Sequence, residues 1–166
     1  MMAMTLDGII AKDKYQNADW TSRADKKAFI AETKKHGAII FGETTFNAIG
    51  RSLSGRLNLV LTMHPEKYQD QVVAGRLEFA QGTPEKIKKL LADKGFKSAV
   101  LGGGAATNAA FLVAGVVDEV LITIEPKIFG RGLNFCEGED LDLSLELIEV
   151  KEIGDNAVQL RYKVEK

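Results

Sequence analysis

Ala38-Ile39-Ile40-Phe41-Gly42-Glu43-Thr44-Thr45-Phe46 is the segment that most clearly indicates the fold class of this chain. Its first four residues form an unbroken apolar run, which is typical of a short strand buried on both faces of a sheet. A short helix is expected to follow from Thr44 to Ile49. A buried strand that leads directly into a helix is typical of α/β proteins, whose ligands bind at the carboxyl ends of the strands.

Similar signals continue on both sides of this segment. Upstream, Met1 to Ala11 is predicted to be a strand that runs into a turn at Asp7-Gly8, and Lys12 to Asp19 is predicted to be a loop. Ser22 can cap a following helix, which Gly37 can end. Downstream, the sequence predicts strands at 57–62, 76–80, 99–101 and 119–125, helices from 83 to about 95 and from 104 to about 113, and a closing strand pair at 145–153 and 157–164.

The length and the order of these elements predict one α/β domain over residues 1–166. Strands alternate with helices for most of the chain, which predicts a mostly parallel sheet flanked by helices. The strand pair after residue 144 predicts an antiparallel finish.

The charge balance limits the possible partners. Lys plus Arg total 22 and Asp plus Glu total 23, giving a net charge of −1. Nucleic-acid and membrane-surface partners are therefore not expected, because both favour a basic excess. Cys136 is the only cysteine, which excludes an internal disulfide and a cysteine-based metal site. A cytoplasmic setting and no metal are the predictions.

Two predicted strand-to-helix junctions offer sites for a phosphate. Gly102-Gly103-Gly104 allows close approach of the backbone to a pyrophosphate, and the following helix start offers free N–H groups. Thr44 and Thr45 offer hydroxyl groups at the second junction. The alternative interpretations are a tight turn at the glycines and helix capping at the threonines.

Two charged side chains are candidates for substrate binding. Asp25 follows the only tryptophan, Trp20, and precedes Phe29, so that a carboxylate near a helix start lies among apolar groups. Such a group can hold and protonate a nitrogen heterocycle, although an acid in a first helical turn is also stabilised by the helix dipole alone. Arg56 can bind a carboxylate in bidentate fashion, or can be a solvated loop arginine.

As a set, these segments resemble dihydrofolate reductase over nearly the whole chain. The spacing of Trp20, Asp25 and Phe29 resembles that of the family's tryptophan, active-site acid and substrate-contacting phenylalanine. Further similar segments are Thr5-Leu6-Asp7-Gly8-Ile9-Ile10-Ala11, Ile39 to Arg51, Leu53 to Thr62, Leu101 to Ala105, Val117 to Ile124 and Phe129-Gly130-Arg131-Gly132. The resemblance implies a mixed sheet with about four helices.

The resemblance also implies an activity, the NADPH-dependent reduction of 7,8-dihydrofolate to tetrahydrofolate. The implied catalytic residues are Asp25, Thr123 and Trp20, with Asp25 orienting the pterin and the proton arriving by way of water. The implied substrate-binding residues are Met2, Ala3, Phe29, Ile49 and Arg56. The implied cofactor-binding residues are Ala3, Ile10, Gly42, Glu43, Thr44, Thr45, Thr62, Met63, His64, Gly102, Gly103, Gly104, Ala105 and Ala106.

Two alternatives stand beside this hypothesis. The reductase domain of riboflavin biosynthesis resembles the chain in its Leu-Asp-Gly, Gly-Gly and Val-Asp-Glu signatures, and it acts on a ribosylated pyrimidinone. The folate hypothesis is preferred, because the chain has Thr45 to Arg51 where that family carries an Asp-Asp/Asn-Pro stretch. The other alternative is a non-catalytic nucleotide- or pterin-binding module. A monomer and a homodimer are both compatible with the sequence.

Departures from the family pattern concern the cofactor and the first strand. Glu43 stands where many members have an arginine that binds the 2′-phosphate of NADPH, and an acid would repel that phosphate. Thr62, His64 and Lys67 are expected to serve the phosphate instead. Met1 lies inside the family's usual start, so a short first strand is expected.

Overall fold

The computed structural model describes residues 1–138 and 140–165 of the chain. The strands in this part are β1 (Met2–Thr5), β2 (Ile9–Ala11), β3 (Ala38–Gly42), β4 (Leu57–Leu61), β5 (Leu77–Ala80), β6 (Val100–Leu101), β7 (Glu119–Glu125), β8 (Leu133–Asn134), β9 (Leu145–Gly154) and β10 (Ala157–Val164). The α-helices are α1 (Arg23–His36), α2 (Glu43–Ile49), α3 (Pro84–Asp93) and α4 (Ala105–Val113), with 3₁₀ helices at Ala18–Trp20 and Pro65–Gln71.

Eight of these ten strands form two four-stranded sheets that meet at β1 and β6, and β2 and β8 form a separate antiparallel pair. One sheet has the order β5-β4-β3-β6 and is parallel throughout. The other has the order β1-β7-β10-β9, with β1 parallel to β7 and β10 antiparallel to both of its neighbours. The Met1 amine donates a hydrogen bond to the Leu101 carbonyl oxygen at 2.8 Å, which places β1 beside β6. The predicted mixed α/β sheet with an antiparallel finish is confirmed.

Local sequence signals explain where the helices begin and end. The Ser22 hydroxyl accepts the Asp25 N–H at the start of α1, and Gly37 ends the helix with a left-handed backbone. Thr83 and Pro84 begin α3 in the same way that the sequence predicts. The segment Met1 to Ala11, predicted to be a strand running into a turn, forms two strands, β1 and β2, on either side of Asp7 and Gly8. The other predicted bounds agree with the structure to within about two residues, while β8 and the two 3₁₀ helices were not predicted.

The core lies on both faces of β3, as its apolar run predicts. On one face Ile40 packs with residues of β4, α3 and α4, among them Leu59, Leu91 and Phe111. On the other face Ile39 and Phe41 pack with a second cluster: Phe46, Val60, Leu77 and Val100. Burying each large apolar side chain stabilises the fold by about 1.5–3 kcal/mol, so this two-sided packing fixes the strand ends at which ligands bind.

A cavity lies near the start of β1 and the first residues of β7. β1 pairs with β7 only from Ile122 onward. The cavity has a volume of about 400 Å³ and is lined by Met1, by β6 and by residues 119–121 of β7. Arg161 spans its polar side, donating to Glu32 at 2.9 Å and to Glu119 at 2.7 Å. The cavity lining does not include Asp25.

Candidate active site

Asp25 is a buried carboxyl group in the first turn of α1. Its exposed fraction is 7%. Burial raises the pKa of Asp25 above its ordinary value, because desolvation disfavours the charged form. Hydrogen bonds from the Thr123 and Thr21 hydroxyls oppose this rise in pKa. The result is a carboxyl group held in a fixed place whose proton affinity is increased.

Thr123 is held by a side chain of the neighbouring strand β10. It is fully buried on β7 and lies opposite Gln159 of β10. The Gln159 side-chain amide donates to the Thr123 hydroxyl at 3.4 Å. Because that hydroxyl accepts from Gln159, its own hydrogen is available to Asp25. Gln159 was not predicted from the sequence.

Glu125 holds the start of α1 against β7. Its carboxylate accepts the backbone N–H and the hydroxyl of Ser22, each at 2.9 Å, and its exposed fraction is 1%. Its charge adds to the rise in the pKa of Asp25. Sequence reasoning missed this residue. The available signal was its spacing, since Glu125 lies two residues after Thr123 and therefore faces the same side of the strand.

Trp20 closes one side of this region. It is half-buried and packs edge-on against Phe129, with 5.0 Å between the ring centroids. The Lys127 amine donates to the Trp20 carbonyl oxygen at 2.7 Å. Asp7 accepts the N–H groups of Phe129 at 3.2 Å and Gly130 at 2.7 Å. These contacts join the loop before α1 to the turns after β1 and β7.

The predicted substrate-binding residues lie in two places. Phe29 and Ile49 pack on the same core cluster. Ala3 pairs with Thr123 in the β1–β7 register, and Met2 borders the glycine turn, since a Cβ on Gly103 would lie 2.7 Å from the Met2 sulfur. Met2 and Ala3 therefore lie between the Asp25 region and the glycine turn. Ile10 is half-buried in β2, apart from that register.

The glycine turn has no room for side chains. A Cβ on Gly102 would lie 2.5 Å from the Phe41 ring, and one on Gly104 would lie 2.9 Å from the Thr45 hydroxyl. The peptide bond between Gly103 and Gly104 is cis. The Gly42 N–H donates to the Gly103 oxygen at 2.8 Å, which joins this turn to the end of β3.

The start of α4 after this turn fits a pyrophosphate. Gly104 is the N-cap of α4 and gives the first N–H groups of the helix no side-chain acceptor of its own. Backbone N–H groups at a helix start, beside a turn that excludes side chains, suit an anion. Ala105 is buried and Ala106 is exposed there, whereas Thr44 is exposed at the start of α2.

Glu43 is held by two hydroxyl groups at the next strand end. Its carboxylate accepts the Thr62 hydroxyl at 2.5 Å and also accepts the Tyr68 hydroxyl. These two hydrogen bonds lower the pKa of Glu43. His64 and Met63 are exposed, and the His64 ring lies 3.2 Å from the Glu66 carboxylate. Thr62, which the sequence predicted to bind a phosphate, therefore donates its hydroxyl to Glu43. The contact of Tyr68 with Glu43 was not predicted.

Arg56 is buried and makes hydrogen bonds within the protein. Its exposed fraction is 7%, and its guanidinium donates to the Thr33 hydroxyl and to the Ser54 carbonyl oxygen. Burial lowers its pKa. The buried Asn58 side chain fixes the same loop through Leu53, with hydrogen bonds of 2.8 Å in both directions. Arg56 therefore donates its hydrogen bonds within the protein, whereas the sequence predicted that it binds a carboxylate tail of the substrate.

Two further properties concern the described residues only. No group of three or more His, Cys, Asp or Glu side chains in residues 1–138 and 140–165 could hold a metal ion. In the same part of the chain, no helix combines the length and the apolar character that crossing a membrane requires.

Comparison with protein families shows which family the chain belongs to. Residues 58–159, more than half of the chain, match the model of the RibD C-terminal domain. The chain belongs to the RibD C-terminal domain family. The predicted resemblance to dihydrofolate reductase therefore holds for the fold. The family itself is the riboflavin-pathway reductase domain, which the sequence analysis gave as the alternative to dihydrofolate reductase. Asp25 and Glu43 lie outside the matched residues.

The chain is also similar to individual known proteins. Among curated proteins, the Bacillus subtilis protein named uncharacterized protein YwjB is 26% identical and aligns over 97% of this chain and 94% of its own length. A pyrimidine reductase-like protein from Corynebacterium diphtheriae has a TM-score of 0.81 at 15% identity, covering 99% of this chain and 90% of that one.

Two other solved structures share the fold. A Thermotoga maritima diaminohydroxyphosphoribosylaminopyrimidine deaminase/5-amino-6-(5-phosphoribosylamino)uracil reductase has a TM-score of 0.78 at 18% identity, covering 99% of this chain and 55% of that one. Enterococcus faecalis dihydrofolate reductase has a TM-score of 0.66 at 21% identity, covering 99% and 94%. At these identities the likeness shows the fold alone.

Proposed function

We propose that this RibD C-terminal family member is a reductase that transfers a hydride from a reduced nicotinamide dinucleotide to a pyrimidine substrate of the riboflavin-pathway type. The observation that carries the proposal is the buried Asp25 carboxyl group. Its pKa is raised by burial, and it is hydrogen-bonded to Thr123 of β7. The strand paired with β7 there, β1, carries Met2 against the glycine turn.

The chemistry requires a hydride on an electrophilic carbon and a proton on the neighbouring nitrogen. When bound, the dinucleotide supplies the hydride. Asp25 binds the polar edge of the heterocycle by charge-assisted hydrogen bonds and favours the protonated nitrogen, while water delivers the proton. Thr123 fixes the direction of the Asp25 carboxyl group. Glu125 keeps the start of α1 in place through Ser22.

Residues at the strand ends are assigned to cofactor binding. Gly103 and Gly104 allow the backbone to approach the phosphates, and the first N–H groups of α4 donate to them. Thr45 lies against Gly104 and contributes a hydroxyl group. Trp20 and the loop before it exclude water from the reacting atoms.

Two observations favour a pyrimidine over dihydrofolate. The family match is to the RibD C-terminal domain. In addition, Arg56 donates its hydrogen bonds to Thr33 and Ser54 instead of facing a glutamate tail. The Thermotoga maritima structural relative is named as a reductase of 5-amino-6-(5-phosphoribosylamino)uracil, which is therefore the first substrate to test.

The test is a substrate panel with purified protein. Each of two substrates, 5-amino-6-(5-phosphoribosylamino)uracil and 7,8-dihydrofolate, is mixed with NADPH and with NADH. Turnover is followed as the loss of reduced-nicotinamide absorbance, and the mass of the product is determined by mass spectrometry. We expect turnover of the pyrimidine with a gain of two hydrogens, abolished or strongly reduced in Asp25→Asn. Turnover of dihydrofolate alone would contradict the pyrimidine assignment, and turnover of neither substrate would contradict both.

Dihydrofolate reduction is the second candidate. It is favoured by the spacing of Trp20, Asp25 and Phe29 together with the contact between Asp25 and Thr123. Its signature would be turnover of dihydrofolate with tight antifolate binding. A non-catalytic binding module would bind the dinucleotide in the same panel without any turnover.

A further inference from the structure

The three regions of the candidate site lie in a fixed spatial order along the sheets. The Asp25 and Thr123 pair lies at β7 and β1, the glycine turn follows β6, and Glu43 and Thr62 follow β3 and β4. Neighbouring strands are about 4.8 Å apart. If the reacting ring lies near Asp25 and the pyrophosphate lies at the glycine turn, the other half of a dinucleotide extends towards Glu43. This step rests on the proposed function.

Glu43 is held in a fixed position in the region that follows β3 and β4. Its carboxylate accepts hydrogen bonds from Thr62 and Tyr68, so both hydroxyl donors that could serve a phosphate are already engaged by an acid. Thr62 is 6% exposed, and Tyr68 stacks on Phe79 with 4.4 Å between the ring centroids and 6° between the planes. Phe79 in turn packs edge-on against Phe46. Packing therefore fixes the position of these donors.

The chemical preference of a fixed carboxylate differs from that of an arginine. A carboxylate accepts hydrogen bonds from the hydroxyl groups of an adenosine ribose, and in dinucleotide-binding folds an acid at a strand end has this role. In NADPH the 2′-hydroxyl is replaced by a phosphate, which carries roughly −1.5 to −2 charges at neutral pH. The two hydrogen bonds that Glu43 accepts lower its pKa, so that it stays ionised. Lys67 and His64 are the nearby groups that favour an anion.

We propose that Glu43, held by Thr62 and Tyr68, is a specificity-determining residue that selects the cofactor without a 2′-phosphate, NADH over NADPH. Glu43 accepts a hydrogen bond from the 2′-hydroxyl of the adenosine ribose and repels the phosphate that replaces this hydroxyl in NADPH. This departs from the NADPH that the sequence resemblance implied, and it assigns Thr62 and Tyr68 to orienting Glu43 instead of to binding phosphate.

The experiment measures binding, so that it does not depend on turnover. NADH and NADPH, and the fragments ADP-ribose and 2′-phospho-ADP-ribose, are titrated by calorimetry into the wild-type protein, Glu43→Gln and Glu66→Gln. Glu66→Gln is the matched control, because it removes one charge from the same region at a side chain that is 61% exposed and pairs with His64. Each variant is checked for folding by its melting temperature.

We expect wild type to bind the forms without the 2′-phosphate at least about tenfold more tightly, since one like charge a few ångströms from a phosphate is worth about that factor. Glu43→Gln should reduce this ratio by about tenfold, and Glu66→Gln should leave it unchanged. Tighter binding of NADPH by wild type, or an equal ratio in wild type and Glu43→Gln, would overturn the role of Glu43 and leave the reductase proposal standing. Binding of neither dinucleotide would overturn both.

Discussion

Two carboxyl groups at opposite ends of the candidate site are held in opposite ways. Asp25 is buried, and desolvation raises its pKa. Glu43 is only partly buried, and the hydroxyl groups of Thr62 and Tyr68 lower its pKa. One acid is surrounded so that it retains a proton more readily, and the other is surrounded so that it remains an anion.

This difference shows that environment, and not residue type, assigns the two acids to different tasks. A buried acid with increased proton affinity suits the polarisation of a substrate nitrogen. An acid that accepts two fixed hydroxyl donors suits the recognition of other hydroxyl groups and the exclusion of phosphate. The following predictions test whether the two ends of the site are as different as their surroundings indicate.

The largest expected effect is on turnover. Asp25→Asn should lower kcat by about 10²–10⁴-fold, because a neutral amide cannot favour the protonated substrate nitrogen as a carboxylate does. Steady-state kinetics on the substrate that the panel identifies give the number. Asp93→Asn is a suitable control, since Asp93 is an exposed acid at the end of α3. Unchanged turnover of Asp25→Asn would remove Asp25 from its assigned role.

The next effect concerns Arg56, which belongs to neither end of the site in the structure. Arg56→Leu should destabilise the protein by about 1–3 kcal/mol, because the Thr33 and Ser54 partners lose their buried donor. The KM for the pyrimidine substrate should stay the same. Urea unfolding and steady-state kinetics separate these quantities. A large rise in KM without a loss of stability would restore Arg56 as a substrate ligand.

The two acids should also give opposite dependences of stability on pH. Because the pKa of Asp25 is raised in the folded protein, its contribution to stability is fully present below the ordinary value of 3.8 and is lost as the pH rises through the folded pKa. The pKa of Glu43 is lowered, so its contribution is present above the ordinary value of 4.5 and is lost as the pH falls through the folded pKa.

Unfolding free energies of Asp25→Asn and Glu43→Gln, measured by denaturant titration over this pH range, test these signs. Relative to wild type, Asp25→Asn should gain stability as the pH rises from below 3.8 towards neutral. Glu43→Gln should lose stability relative to wild type as the pH rises through the same region. Differences of the same sign in both variants would mean that the two surroundings are not distinct.

The smallest effect is expected at Tyr68. Tyr68→Phe keeps the stacking on Phe79 and removes one donor to Glu43, so stability should fall by about 1 kcal/mol or less. The pKa of Glu43 should rise towards its ordinary value. Thermal unfolding and a pH titration of the variant measure both quantities. If the pKa of Glu43 did not move, the Tyr68 hydroxyl would not be one of its donors.

Sequence reasoning predicted most of the fold because the local signals are strong. The apolar run of β3, the Ser22 cap and the Gly37 end of α1 each depend on neighbouring residues alone. The contact between Asp25 and Thr123 was reached only through the family resemblance, since the two residues are far apart in the chain. Physical patterns alone favoured the simpler interpretation of Asp25 as an acid stabilised at a helix start.

The parts of the site that were missed depend on side-chain geometry across elements. Gln159 reaches Thr123 from an antiparallel neighbour, and Tyr68 reaches Glu43 from a 3₁₀ helix. The orientation of Arg56 follows from the position of Thr33 on another element and from a loop fixed by Asn58. None of these contacts leaves a periodic signal in the sequence. The neighbouring residues of Arg56 in the sequence therefore could not show which groups its side chain contacts.

The most direct test of the contrast between the two acids is a titration of their carboxyl carbons by NMR. Protein labelled with ¹³C at the side-chain carboxyl groups of Asp and Glu is titrated, and the signals are assigned with Asp25→Asn and Glu43→Gln. The account predicts that Asp25 titrates above 3.8 and Glu43 below 4.5. Titration of Asp25 at or below 3.8, or of Glu43 at or above 4.5, would contradict it.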